Sequence, residues 1–149
     1  ARIIEFGNLK CVEKGDIASF VLFEDKGKKY YAFKDDFSVV TNSNKKRIEF
    51  LIEKKRATLA LPLLGYETVV DGWTAEKLEE ILEEEGVDLK DFKNRYKEFS
   101  SKGSFRSADM LMDWVNLSYN VDKDVNFRFY LPKGCYATIF LREFMKGEE

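Results

Sequence analysis

Any chemistry in this chain must come from carboxylates, amines and aromatic rings. The sequence holds no histidine and only two cysteines, Cys11 and Cys135. Nucleophile arrangements built on a Ser-His or Cys-His pair are therefore excluded. A metal site is not expected either, since imidazole is missing and the thiols lie far apart in sequence. No stretch matches a phosphate-binding or dinucleotide-binding glycine loop. Paired carboxylates occur at Asp35-Asp36 and Glu83-Glu84-Glu85, but at 35% charged residues such pairs read as solvated surface. Two basic sets are more informative. Lys26, Lys28, Lys29 and Lys34 interleave with Tyr30, Tyr31 and Phe33, a composition suited to phosphates and stacked bases. Lys93, Arg95, Lys97, Lys102 and Arg106 form the second set. Short charge runs are most often solvated faces, so both sets carry that plainer reading too. The last candidates are Tyr136 and Arg142 near the end of the chain.

The elements that must position these groups follow from periodicity. Phe127, Phe129 and Leu131 alternate with Arg128 and Tyr130, the pattern of a strand. Pro132 stops the ladder and Gly134 turns the chain. Tyr136, Ile139, Phe140 and Phe144 then recur at helical spacing, which leaves Tyr136 at the corner. From spacing alone, the plainer reading is that Tyr136 opens the core face of this helix and Arg142 is a surface cation. Earlier, Ile17 to Phe23 is apolar on both faces and reads as a central strand. A turn at residues 25–28 joins it to Lys29–Phe33 as a β-hairpin. Val39-Val40 reads as a third short strand. Residues 44–55 form a helix with Ile48, Leu51 and Ile52 facing in. Ala57 to Leu64 is a strand whose Pro62 belongs at an edge or a strand end. Thr74 is expected to cap a helix over 75–85 that Gly86 ends, and Asp88 to start another carrying Leu89, Phe92 and Tyr96 on one side. Two or three strands complete the chain. The class is α+β, a mixed, mostly antiparallel sheet with three to four helices.

Three segments carry a resemblance. LPKGCYATIFLREF is similar to the closing motif of the TruD family of tRNA pseudouridine synthases, matched at Leu131, Pro132, Gly134, Tyr136, Ala137, Thr138, Leu141, Arg142 and Glu143. LPLLGYETV (61–69) resembles the family's Leu-Pro-Leu-x-Gly-Tyr segment, and FSSKGSFR (99–106) its Ser-x-Lys-Gly-Ser-aromatic-Arg segment. All three stand in family order and at family-like spacing. Gly15-Asp16-Ile17-Ala18 resembles the opening of the domain inserted in that family. The resemblance implies an inserted domain over about 13–108 and closing strands and helix of a catalytic domain over 109–149. Residues 1–12 are a possible linker from the catalytic domain. It also implies tRNA as partner, no cofactor, and isomerisation of uridine to pseudouridine by an aspartate nucleophile. By the same resemblance Tyr136 lines the uracil pocket, Arg142 lies near the catalytic aspartate or holds neighbouring backbone, and Arg106 matches a family arginine.

The chain departs from the family in places. The nucleophile's Gly-Leu-Lys-Asp-Arg-like motif is matched only partly by Leu89-Lys90-Asp91, where Phe92 follows and no glycine precedes. Asp91 therefore reads as an exposed helical carboxylate. The family's Asn-aromatic-Gly-x-Gln-Arg segment is not found. Residues 107–114 replace a common Arg-Pro, which puts contacts made by Arg106 in question. The nucleophile is thus expected upstream in the same protein, and the 149-residue chain alone is expected to be inactive. The competing reading is a non-catalytic RNA-binding module.

Composition bounds these readings. A chain of 149 residues has room for one ordinary core, or for one domain and a piece of a second. Lys and Glu dominate the surface and glutamine is missing, the bias of hyperthermophile proteins, so a thermophilic source is expected. A net charge of −2 means that any RNA contact rests on local clusters, not on a global basic field. Two thiols without a disulfide framework fit a reduced, cytoplasmic protein. The apolar runs are too short to span a bilayer and no signal peptide is visible. The chain starts at Ala1 without an initiator Met, so an upstream portion is expected.

Overall fold

Strand β1 (Ile17–Asp25) lies between β2 (Lys29–Val39) and β3 (Ala57–Leu63), and β4 (Ser104–Ser107) completes the order β2-β1-β3-β4. That central place explains a strand apolar on both faces, with Ala18, Ser19 and Val21 buried. In this computed structural model the described residues are 1–25, 29–111, 115–119, 124–131 and 135–146. They divide into two compact units, Ala1–Val21 with Lys34–Asp109 and Leu22–Phe33 with Met110–Glu149.

In the first unit, β1 and β3 pair antiparallel from Ile17↔Ala60 to Phe20↔Ala57, and β3 and β4 from Ala60↔Ser107 to Leu63↔Ser104. Pro62 falls beyond the β1 register, opposite Phe105, so it stands where only one flanking strand remains. The sheet curls enough to bring Phe37 and Phe105 of its two outer strands to a ring separation of 5.7 Å. Helix α1 (Arg2–Phe6) ends at Gly7 in the left-handed region. Helix α2 (Lys45–Glu53) turns Ile48 and Ile52 onto the sheet, where they join Val12, Ala18, Val40, Ala57 and Leu59 in the core. Each Val, Leu or Ile among them contributes about 1.5–3 kcal/mol when fully buried.

Three local expectations are corrected. Val39 is the end of β2, which runs unbroken through Asp35-Asp36, because ladder pairing with β1 outweighs the polar residues' local preference. Val40 lies just past the strand, and its N–H donates to the Asp16 carbonyl at 2.8 Å. Helix α3 (Gly72–Glu85) starts earlier than expected and is capped by Asp71, whose carboxylate accepts from the Gly72 N–H. Thr74 donates its hydroxyl to Asp16 instead, at 3.2 Å. Gly86, at φ 63°, ends α3 as its position suggested. The helix expected from Asp88 is two separate single turns, Leu89–Phe92 and Lys97–Phe99. Asp88 and Asp91 cap the first turn reciprocally, and Asn94 and Ser100 side chains bind local backbone between them. Such side-chain bonds compete with helix propagation.

The second unit holds β5 (Val115–Tyr119) and β6 (Val125–Phe129), antiparallel from Val115↔Phe129 to Tyr119↔Val125, and helix α4 (Ala137–Phe144). Alternation works as the sequence suggests. Phe127 and Phe129 face α4 while Arg128 and Asn126 are exposed. Phe129 meets Phe140 at 4.6 Å, Phe127 meets Phe144 at 5.0 Å, and Phe140 meets Phe144 at 5.0 Å. Tilted and edge-on ring pairs of this kind add about 0.5–1.5 kcal/mol beyond area burial. The Pro132–Gly134 corner lies outside the described residues. With four α-helices and antiparallel strand pairs among the described residues, the architecture is α+β.

Candidate RNA-facing surface and pocket wall

Two short segments distant in sequence lie back to back in the first unit. Gly65, from LPLLGY, rests so closely on Lys102-Gly103, from SSKGS, that a Cβ there would press on three backbone atoms of residues 101–103. The Tyr66 N–H donates to the Ser101 carbonyl at 2.9 Å, and the Glu67 N–H to the Lys102 carbonyl at 3.1 Å. Ser101 returns a hydroxyl bond to the Leu64 carbonyl at 3.2 Å. Gly103 has φ 87° and lies against Thr68, whose hydroxyl oxygen accepts the Gly65 N–H at 2.9 Å. No side chain fits at Gly65, and the left-handed backbone at 103 favours glycine. The two glycines are thus one device that clamps both segments.

This clamp positions cations. Lys102 pairs with Glu67 at 3.3 Å, and that hydrogen bond holds its ammonium above the usual lysine range. Lys93 lies 5.4 Å from the centre of the Tyr66 ring. Lys93 and Lys102 therefore flank the same turn at 66–67. Arg95 and Lys97 are exposed on the neighbouring loop, and Arg106 is exposed on β4 opposite Leu61 in the register. So the second basic set is drawn to one stretch of surface in its Lys93 and Lys102 members, with Arg106 farther along the strand. From the first set, Lys29 is described only as the residue that opens β2, and Lys26 and Lys28 lie outside the described residues.

In the second unit, Tyr136 is the N-cap residue of α4, and its carbonyl accepts the Ile139 N–H at 3.1 Å. It is 58% exposed and Phe144 53%, whereas Phe127, Phe129 and Phe140 of the same unit are half-buried. A core role for the Tyr136 ring within this chain is hard to reconcile with that exposure. Arg142 is exposed in the last turn of α4, where the helix's unpaired carbonyls favour a cation. Beside it, Lys146 bonds Glu143 at 2.6 Å and holds that carboxyl below its ordinary range.

Asp91, the aspartate of the partial nucleophile look-alike, accepts the Asp88 N–H at 2.8 Å. It is exposed and closes a single helical turn. Nearby, an open groove is lined by Glu79, Glu83, Asp88 and Asp91 with Leu82 and Val87, a sign of charge that repels phosphate.

Sequence reasoning missed the Gly65–Gly103 contact. Its signal was available, a glycine at the same point of each quoted segment, but only the fold shows that they touch. It also missed the Arg2–Asp16 pair, for which no local pattern exists.

Against known proteins, the family model for tRNA pseudouridine synthase D (TruD) matches residues 1–144. The chain is 46% identical over 147 residues to a probable tRNA pseudouridine synthase D of Archaeoglobus fulgidus, covering 99% of this chain and 33% of that protein. A probable tRNA pseudouridine synthase D of Pyrococcus furiosus is 40% identical over 110 residues, 72% of this chain and 26% of its own length. The crystal structure of a putative tRNA pseudouridine synthase D from Methanosarcina mazei superposes with a TM-score of 0.69 at 31% identity, over 97% of this chain and 34% of that one. The chain thus spans about a third of the length of the first of these relatives. With the motif segments in order, the clamp that joins two of them, and a family match over nearly its whole length, the chain belongs to the TruD family of tRNA pseudouridine synthases.

Proposed function

We propose that this chain is the RNA-cleft and pocket-wall portion of an enzyme that isomerises uridine to pseudouridine in tRNA. The nucleophilic aspartate, which detaches uracil from its ribose so that the base returns through carbon 5, belongs to another part of the same protein. Residues 13–108 serve as the inserted domain, and Arg2, buried against Asp16, is support for keeping residues 1–12 with that unit. Residues 109–149 close the catalytic domain.

The observation that carries this reading is the exposed ring of Tyr136 at the start of α4; of the motif's other rings, Phe140 is half-buried and Phe144, though 53% exposed, packs edge-on against Phe127 and Phe140. A flat ring at an exposed corner can stack on a base turned out of its helix. Tyr136→Ala in the full-length enzyme is expected to lower turnover about tenfold or more while the melting temperature stays close to wild type. Single-turnover assays with melting curves on the same samples measure both quantities. Equal turnover would remove Tyr136 from the pocket.

The basic surface around Lys102 and Arg106 has its own test. The Lys102–Glu67 pair is exposed, so its loss changes stability little. Reversing both residues (Lys102→Glu, Arg106→Glu) is expected to weaken tRNA binding roughly tenfold or more at moderate salt. The slope of log affinity against log salt should fall by about two. Filter binding across a salt series reads both, and unchanged binding would clear this surface of an RNA role.

A further inference from the structure

The loop between the two single turns carries a feature that the basic residues alone do not explain. Phe99 is 75% exposed and Tyr96 is 59% exposed, two large rings held in solvent side by side. Their centroids are 6.4 Å apart and their planes nearly perpendicular, at 88°, so each ring keeps at least one face uncovered by the other. The backbone beneath them is pinned. The Phe99 N–H donates to the Tyr96 carbonyl at 3.1 Å and the Tyr96 N–H to Asn94 Oδ1 at 3.1 Å. Ser100 Oγ accepts the Asn94 N–H at 2.9 Å and donates to the Asn94 carbonyl at 3.2 Å, while the Ser101 N–H reaches the Phe92 carbonyl at 2.9 Å. A loop so cross-linked holds its rings outward with little entropy left to lose on binding, and exposed aromatic clusters of this kind mark interaction sites.

We propose that Tyr96 and Phe99 form a stacking platform for unpaired bases of RNA, with Arg95 and Lys97 beside them meeting the phosphates. Two cations flank Tyr96, with Glu98 the one anion between it and Phe99, and this interleaving of rings and cations argues for this occupant. A protein partner would match the rings with an apolar surface, and exposed Arg95, Lys97 and Glu98 beside them in sequence would lose hydration against it. A single strand satisfies both sets at once, bases on the rings and backbone on the cations. A duplex cannot, because its bases are already stacked inside. The assignment rests on the RNA-facing reading of the first unit. It adds the strand type recognised and the residues that recognise it.

The test uses the 149-residue chain, an unstructured 12-nucleotide oligoribonucleotide carrying a dye, and an RNA duplex of equal length, by fluorescence anisotropy. The single strand is expected to bind more tightly than the duplex. Phe99→Ala should weaken single-strand binding roughly 5- to 150-fold, the span of one lost base–ring stack, and leave duplex binding unchanged. Phe99→Trp should retain the affinity and Phe99→Leu should lose it, since stacking needs a planar ring. Full affinity in Phe99→Leu marks a merely apolar contact and overturns the platform. So does full affinity in Phe99→Ala; if the Lys102→Glu, Arg106→Glu variant still weakens binding, the RNA-facing reading survives that loss. Should the unaltered chain bind neither oligonucleotide, both fall.

Discussion

Gly65→Ala is expected to destabilise the chain by about 3 kcal/mol or more, among the largest losses from any single added methyl group in this protein. A Cβ at this position would meet Gly103 N, Lys102 C and Ser101 O, all well inside the 3.0 Å that real Cβ atoms keep. All three are backbone atoms, so no side chain can rotate away. Relief requires the two segments to part, which breaks the Tyr66–Ser101 and Glu67–Lys102 backbone bonds. Gly86→Ala is the contrasting control, with backbone strain and no crowding. Gly86 has a positive φ, 63°, which Gly65 does not, and nothing lies within 4 Å of its would-be Cβ. Its substitution should cost only the left-handed penalty, about 1 kcal/mol. Denaturant unfolding of both variants separates crowding from backbone strain, and equal losses would mean that the segments are not in contact. Because the clamp sets the place of Lys93 and Lys102, Gly65→Ala should also lower tRNA affinity under conditions where it remains folded.

Much of this arrangement was legible in the sequence, for reasons that differ by element. The alternation at 127–129 and the 3–4 spacing through Phe144 are local, and both survive because the same rings pack on each other across β6 and α4. The central place of β1 was equally plain, since only a strand covered on both faces tolerates so many apolar residues. Side-chain hydrogen bonding misled at two places. Thr74 has the chemistry of a cap, yet a neighbour in sequence, Asp71, takes that role while the Thr74 hydroxyl turns to a buried carboxylate. Asp88 does start a turn, but Asn94 and Ser100 hold the following backbone out of helix. Periodicity detects which residues share a face; it does not register a competing polar bond from six residues away. The site was readable in part. Its cations and Tyr136 stand in the motifs themselves. Contact between Gly65 and Gly103 depends on the β3–β4 pairing, which no short segment encodes.

Asp16→Ala is expected to cost about 3–5 kcal/mol, the typical loss when one partner of a buried ion pair is removed. Asp16 is 1% exposed and Arg2 5%. The carboxylate accepts from Arg2 Nη1 at 2.9 Å, from Arg2 Nη2, from the Glu13 N–H at 2.6 Å, and from the Thr74 hydroxyl. It therefore ties α1, the 13–16 turn and α3 together at one point. The guanidinium is not held by charge alone. Its centre lies 4.9 Å from the Phe6 ring and 5.0 Å from the Trp73 ring, and Nη2 also donates to the Cys11 carbonyl at 3.0 Å. Removing Asp16 leaves a buried cation facing only rings and one carbonyl, with Arg2 Nε already without a hydrogen-bond partner. Arg2→Met should cost less, because the methionine stem can still fill the space between the rings while the carboxylate keeps its bonds from Glu13 and Thr74. The double variant decides whether charge burial is the cause. Once the cation is gone, deleting the carboxylate no longer strands it, so Arg2→Met with Asp16→Ala should lose distinctly less than the two single losses summed. Urea unfolding of the four chains completes the cycle. Simple additivity would mean that Arg2 and Asp16 stabilise the unit independently, and that the pair is not what fastens α1 to it.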